Sequence, residues 1–467
     1  MTDIASEIPE PREPRAGPRP VGPPALPFLG HVFDYSRDPL GFWTRTARHY
    51  GDIVPLNFAG WPGLLVSDVD AIEDILVRDH RSYIKHQLMW RHATALFGQG
   101  LLTSEGAFWQ RQRRLAAPPF AGRQLLAYDA GIVGATSRML EGWRDGETLD
   151  VHSRMMNLTL RIVANTLFDT ELEGDVADLE QALDVLAAEL EARFSRPFVI
   201  PDYVPLPGNR RYRRAIRTVE AVVTRMIAAR RAEGCEKRND LLSRLMAARD
   251  ENGQPMSDTR LRDEAVTLLL AGHETTAVAL SWTWYLIGQR PEVRARMTAE
   301  IDQAIGGRPA TSGDLPNLGF TENVLMEAMR LYPPAWTIGR QSTKATVIGG
   351  HAYPAGTSVF ISPWILHRDE RHFDRADEFR PDRWSGDLAQ RLPRFAYMPF
   401  GGGPRICIGQ RFAMMEAMLI LATMLQHVDA EWQGMSAITP QPSITLRPIG
   451  GVQLRVRRRS AGSRGND

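Results

Sequence analysis

A chain of 467 residues, 43% hydrophobic and 24% charged, has the balance of a folded protein. It is long enough for one large lobed unit or two domains. Its formal net charge of +1 lacks the basic excess of a nucleic-acid binder. Two cysteines, Cys235 and Cys407, rule out a disulfide scaffold. A bridge between them is formally possible, but a reduced, cytoplasmic protein is the expectation.

Residues 1–28 are rich in proline, from Pro9 through Pro23-Pro24 to Pro27. They are expected to be extended and flexible. No apolar run reaches the length of a signal peptide or of a bilayer span, so no membrane anchor is expected. Gly51 to Ser67, broken at Gly60-Trp61-Pro62-Gly63, reads as strand, turn, strand. Residues 105–305 turn helical, with three- and four-residue apolar spacing over Leu179 to Phe194 and Arg211 to Arg231. The prolines at 197, 201, 205 and 207 make Ser195 to Asn209 a loop. A long helix from Leu261 to Gln289, apolar around much of its girth, belongs in the middle of the fold.

Helices follow at Pro291 to Ile305 and at Phe320 to Leu331, the latter stopped by Pro333-Pro334. Residues 345–362 have β character, and a last helix runs from about Gly409 to Val428. Val452, Leu454 and Val456 form a closing strand. The fold class is mainly α with a smaller β lobe. Residues 29–456 should form one domain, and 457–467 a basic disordered tail.

Three segments carry chemistry. In Phe400-Gly401-Gly402-Gly403-Pro404-Arg405-Ile406-Cys407-Ile408-Gly409, glycines permit tight turns close to a bulky group. A cysteine at the start of the following helix should favour its thiolate. Taken alone, such a cysteine is more often an inert buried residue. Ala271-Gly272-His273-Glu274-Thr275-Thr276 puts an acid and two hydroxyls inside an apolar helix, which is costly unless they are paired or solvated. A zinc protease is excluded, because the second histidine four residues on is missing. Glu327 and Arg330 share one helical face, but a Glu-x-x-Arg alone is usually a solvated surface pair.

Together these segments resemble the cytochrome P-450 family over nearly the entire chain, from Pro27-Phe28-Leu29-Gly30 to the closing strand. Phe400, Gly403, Arg405, Cys407 and Gly409 stand at the positions of its haem-binding signature. The resemblance implies that haem, of the b type, lies between the long central helix and the cysteine-loop helix, with Cys407 as the iron ligand. It implies that Ala271 and Gly272 flank the haem, with Gly272 giving room for oxygen, and that Glu274 and Thr275 deliver protons. Trp109, Arg113, Arg340 and Arg405 become the propionate contacts. Glu327, Arg330 and Arg383 become a structural Arg-Glu-Arg triad. The pocket walls fall on Leu88 to Phe97, the Phe194 to Val204 loop, Leu268 to Thr276, Trp336 to Ile338, and Ile444.

The implied activity is insertion of one oxygen atom from dioxygen into an apolar compound such as a fatty acid, terpenoid or macrocycle. The chain has no reductase-like extension, so electrons are expected from a separate ferredoxin and its reductase. The candidate docking arginines are Arg111, Arg114, Arg394 and Arg411. A monomer is expected. The rivals are a peroxide-dependent or rearranging haem-thiolate enzyme and a haem sensor or carrier without turnover.

Overall fold

A computed structural model describes residues 19–87, 90, 93–169, 176–194, 203–234, 240–249 and 253–459. Leu88, most of the Phe194 to Val204 loop, the side chain of Phe194 and Cys235 lie outside the described residues. The longer helices are α1 (Pro39–Tyr50), α2 (Gly106–Ala116), α3 (Asp129–Glu141), α4 (Val151–Leu167), α5 (Val176–Phe194) and α6 (Pro207–Glu233). They continue with α7 (Asp258–Gly288), α8 (Pro291–Ile305), α9 (Gly319–Leu331) and α10 (Gln410–His427).

The central helix α7 is capped by the Ser257 hydroxyl, which accepts from the Arg260 amide. It packs against α4, α6, α8, α9 and α10, so its all-round apolar surface is covered. Gly272 sits at its crossing with α4. A Cβ there would lie 3.0 Å from Val163 Cγ2. The missing side chain therefore lets two helices approach closely.

The β lobe is a five-stranded sheet in the order β1 (Ile53–Phe58), β2 (Trp61–Val66), β8 (Ser358–Ile361), β5 (Ile338–Ser342) and β3 (Tyr83–Lys85). Only the β2–β8 pairing is parallel. The tight turn is Ala59-Gly60, both at positive φ, so Trp61, Pro62 and Gly63 belong to β2 and not to the turn as expected. A hairpin joins β6 (Thr346–Ile348) to β7 (His351–Tyr353), and another joins β10 (Pro440–Pro442) to β11 (Leu446–Pro448). The last sheet runs β4 (Thr148–Asp150), β12 (Gln453–Arg458), β9 (Val428–Trp432).

Two boundaries differ from expectation. Helix α6 begins at Pro207, inside the expected loop, because proline at the first helical position gives up an amide that has no partner anyway. Strand β12 runs to Arg458, and Arg459 pairs with Asp302, so the first three residues of the expected tail are ordered by backbone and ionic contacts. Among the described residues no helix is long and apolar enough to cross a membrane.

Candidate active site

A cavity of about 880 Å³ lies between α7 and the loop that precedes α10. The loop is shaped by close approach. Gly403 has φ +67°, and a Cβ on it would fall 1.9 Å from the Leu76 carbonyl oxygen. Any side chain would push the loop off its support. The Cys407 amide donates to the Phe400 carbonyl (3.0 Å), and Arg113 Nη2 donates to the Ile406 carbonyl (2.7 Å).

Cys407 is followed by Ile408 and then by Gly409, the cap residue of α10. Cys407 is an exposed residue outside any disulfide, and it lines the cavity. Burial pushes the thiol up, while the Gly409 amide and the Arg113 charge oppose this with smaller effect. The amide at the helix start thus acts in the expected direction, favouring the thiolate, against the effect of burial. A cation binding the sulfur would displace the proton.

The expected cationic contacts converge at one edge. Arg405 lies 4.2 Å and Arg113 5.7 Å from the Trp109 ring, and Arg405 is paired with Glu105. Lys85, which sequence reasoning missed, joins them, its Nζ on the Leu101 and Ser104 carbonyls (3.0 and 3.1 Å). Burial, then the nearby Arg405, hold Lys85 down to about 7 and Arg340 down to about 10. Buried cations that repel one another need anions. A flat ligand with two carboxylates beside a thiol would supply them, so the residues present fit a haem.

The Glu327 cluster stands behind this loop. Arg330 grips Glu327 through Nε and Nη2 (2.8 and 2.9 Å), and Arg383 Nε reaches the same carboxylate at 2.9 Å. The Trp384 indole and the Arg380 amide add further bonds at 2.9 Å each. The remaining Arg330 donors fill the carbonyls of His367, Ala376 and Glu378. The His367 ring then accepts from the Met398 amide, two residues before Phe400. The three expected residues are thus brought together, on a path leading to the cysteine loop.

Across the cavity, Ala271, Thr275 and Leu268 face inward from α7. The Thr275 hydroxyl donates to the Ala271 carbonyl (2.9 Å). Glu274 turns toward the β10–β11 hairpin, where Oε1 accepts from Thr445 Oγ1 (2.6 Å) and Arg447 Nε (2.8 Å). Burial raises its pKa, but Arg447 and the other partners together outweigh burial and keep it below the ordinary carboxylate value. Neither partner was legible in sequence, being 171 and 173 residues away.

One further acid was missed. Glu416 on α10 is fully buried, and neither oxygen has a hydrogen-bond partner among the described residues. Thr276 faces it but directs its own hydroxyl to the Gly272 carbonyl. Burial pushes Glu416 up to about 8.

Of the expected pocket walls, Phe97, Leu268, Trp336, Ile338 and Ile444 line the cavity. Leu183, Leu186 and Leu190 of α5 add a face that sequence reasoning placed one segment later. A cysteine loop facing a helix across such a cavity, with cations at one edge, fits the class of haem-thiolate proteins. Known proteins agree with that class. The family model described as Cytochrome P450 matches residues 20–455. Cyclooctatin synthase of Streptomyces melanosporofaciens is 36% identical over 94% of this chain and 92% of its own. Cyclooctat-9-en-7-ol 5-monooxygenase of the same organism is 35% identical over 91% of each chain. Pentalenene oxygenase of Streptomyces avermitilis is 34% identical over 92% of this chain and 93% of its own. The chain belongs to the cytochrome P450 family, and it is an oxidoreductase of the monooxygenase type.

Proposed function

We propose that the protein oxygenates a cyclic terpenoid, hydrocarbon or partly oxidised, with electrons from a ferredoxin and its reductase. The observation that carries this is the wall of the cavity, where Phe97, Leu183, Leu186, Leu190, Leu268, Trp336, Ile338 and Ile444 surround about 880 Å³. A wall of this kind recognises shape and apolar surface. The names of the relatives describe an alkene and an unsaturated alcohol as substrates, which favours a terpenoid over a fatty acid or macrocycle.

In this reading Cys407 ligates the iron of haem b, while Trp109, Lys85, Arg113, Arg340 and Arg405 meet the propionates. Phe400, Gly403 and Gly409 shape the loop, and Ala271 with Gly272 flanks the opposite face. A haem held by these residues would supply dioxygen activation, one oxygen atom entering the substrate and the other leaving as water with two protons and two electrons from the donor protein. Thr275 holds water or a proton at its hydroxyl, and the Glu274 carboxylate takes up a proton from solvent and passes it on. Glu327, Arg330 and Arg383 hold the cysteine loop in place. A cytoplasmic monomer completes the reading.

Two experiments test it. Cyclic terpene hydrocarbons and alcohols should shift the haem absorption spectrum, and labelled dioxygen should appear as one atom in the product. Shifts with fatty acids alone would replace the substrate class. Replacing Cys407 by Ala should abolish the red-shifted Soret band of the reduced carbon monoxide complex. Retention of that band would remove Cys407 as ligand.

For the electron donor, the candidates are Arg111 and Arg114 on α2, Arg411 on α10, and Arg394, which pairs with Glu73 (3.4 Å). Charge reversal at the first three should slow reduction by an acidic ferredoxin and flatten its salt dependence. A rate indifferent to both would exclude these arginines.

A further inference from the structure

The acid of the central helix is held from one small element. The β10–β11 hairpin pairs Pro440 with Pro448 and Pro442 with Leu446, turning through Ser443, Ile444 and Thr445. All three turn residues line the cavity. The turn is moored on both sides. The Trp336 indole donates to the Ser443 carbonyl (2.8 Å), and the Trp282 indole to the Leu446 carbonyl (2.7 Å). The Leu446 amide donates to the Pro334 carbonyl (3.1 Å).

Between these moorings stand Ile444, which meets whatever fills the cavity, and Thr445, which holds Glu274. Arg447, one residue beyond the second mooring, completes the hold. His152 on α4, Asp184 on α5 and His273 on α7 are the other titratable groups facing this pair. Glu274 and Thr275 are neighbours in sequence but bond in different directions. The hydroxyl points at the Ala271 carbonyl and the carboxylate at the hairpin. For Glu274 to serve Thr275, the carboxylate must leave Arg447.

Resting on the proton role given to Glu274 above, we propose that Arg447 and Thr445 are positioning residues that hold Glu274 against the hairpin, and that a bulky apolar occupant pressing on Ile444 loosens their hold. The device makes proton supply depend on a filled cavity. A tip that bears on the occupant and a grip that bears on the acid lie within four consecutive residues, so one cannot shift without the other feeling it.

Linkage makes this measurable without turnover. If filling the cavity weakens the Arg447–Glu274 pair, breaking the pair must tighten binding by the same factor. The probes are clotrimazole, a bulky triaryl imidazole, and imidazole itself, titrated into the holoenzyme by the shift in haem absorption. Arg447→Gln should tighten clotrimazole by about 5-fold, the low end of ordinary coupling between sites, and leave imidazole unchanged. In an Ile444→Ala background the same substitution should lose its preference for the bulky probe. Thr445→Val should act in the same direction as Arg447→Gln but more weakly, and it decides the matter alone if the arginine variant does not fold. Equal effects on both probes, or none, would overturn the proposal and leave Arg447 as a structural ion pair. A Glu274→Gln enzyme with full product yield would defeat the proton role while leaving the titration to judge the hairpin. Lost product with no discrimination between probes would defeat the hairpin coupling alone.

Discussion

Glu327 and Glu274 each accept a hydrogen bond from an arginine, yet their surroundings differ at every other point. Glu327 is closed in by Arg330, Arg383, Trp384 and the Arg380 backbone, with no exposure of either member of its main pair. Glu274 is held at one oxygen by two residues of a single hairpin and borders the cavity. A carboxylate with every direction filled fixes a geometry, because removing any partner strands a buried charge. A carboxylate held from one side can be let go. The molecule uses the same pair of residue types once as a rivet and once as a catch.

The largest expected effect breaks the rivet. Arg330→Met leaves Glu327 partly stranded and three carbonyls without their donor. Loss of one partner of a buried pair costs about 3–5 kcal/mol, so the variant should unfold at markedly lower temperature and fail to retain haem. A variant with wild-type melting and full haem content would show that the cluster is not structural.

The catch should behave in the opposite way. Thr275→Ala removes a hydroxyl that among the described residues bonds only to the carbonyl of its own helix, so stability should change by no more than about 0.5 kcal/mol. Haem and substrate binding should survive. Product formed per reductant consumed should fall sharply, since positioned proton transfer is worth about 10²–10⁴ in rate, and reduced oxygen should leave as peroxide. Glu274→Gln should keep the fold and slow turnover. Wild-type product yield from Thr275→Ala would return both residues to the role of internal hydrogen-bonding groups.

Glu416 sharpens the comparison, being an acid with neither rivet nor catch. Burial raises its folded pKa to about 8, above the ordinary 4.5. Stability from the protonated form is therefore complete below about pH 4.5 and lost as pH rises through 8. Glu416→Gln removes that loss. Its melting temperature should gain on the wild type from pH 6 to pH 9, and a gap that stays constant over this range would mean that Glu416 does not titrate there.

The central helix was legible in sequence because its apolar residues run all round it, and the cysteine loop because its residue types are few and closely spaced. Glu327, Arg330 and Arg383 were legible only through the family pattern, since the Arg383–Glu327 contact crosses 56 residues and the Arg330–Glu327 pair alone reads as a surface pair. The β10–β11 hairpin left little trace. Pro440-Gln441-Pro442 has no alternation to mark a strand, and nothing in the sequence around Arg447 points to Glu274. Lys85 likewise lies at the end of a three-residue strand, and its burial depends on carbonyls from a different segment. Local pattern reveals elements, whereas the partners of buried charges are chosen by tertiary packing.

The cysteine loop is shut by the first quarter of the chain. Gly403 rests on the Leu76 carbonyl, Arg405 pairs with Glu105, and Arg113 holds the Ile406 carbonyl, the last two contacts spanning 300 and 293 residues. Contacts of such separation form late, because ordering a long stretch of chain precedes any return from them. The cysteine loop can therefore take its final shape only once segments some three hundred residues apart have met, so the site is a product of the whole fold and not of the loop's own sequence.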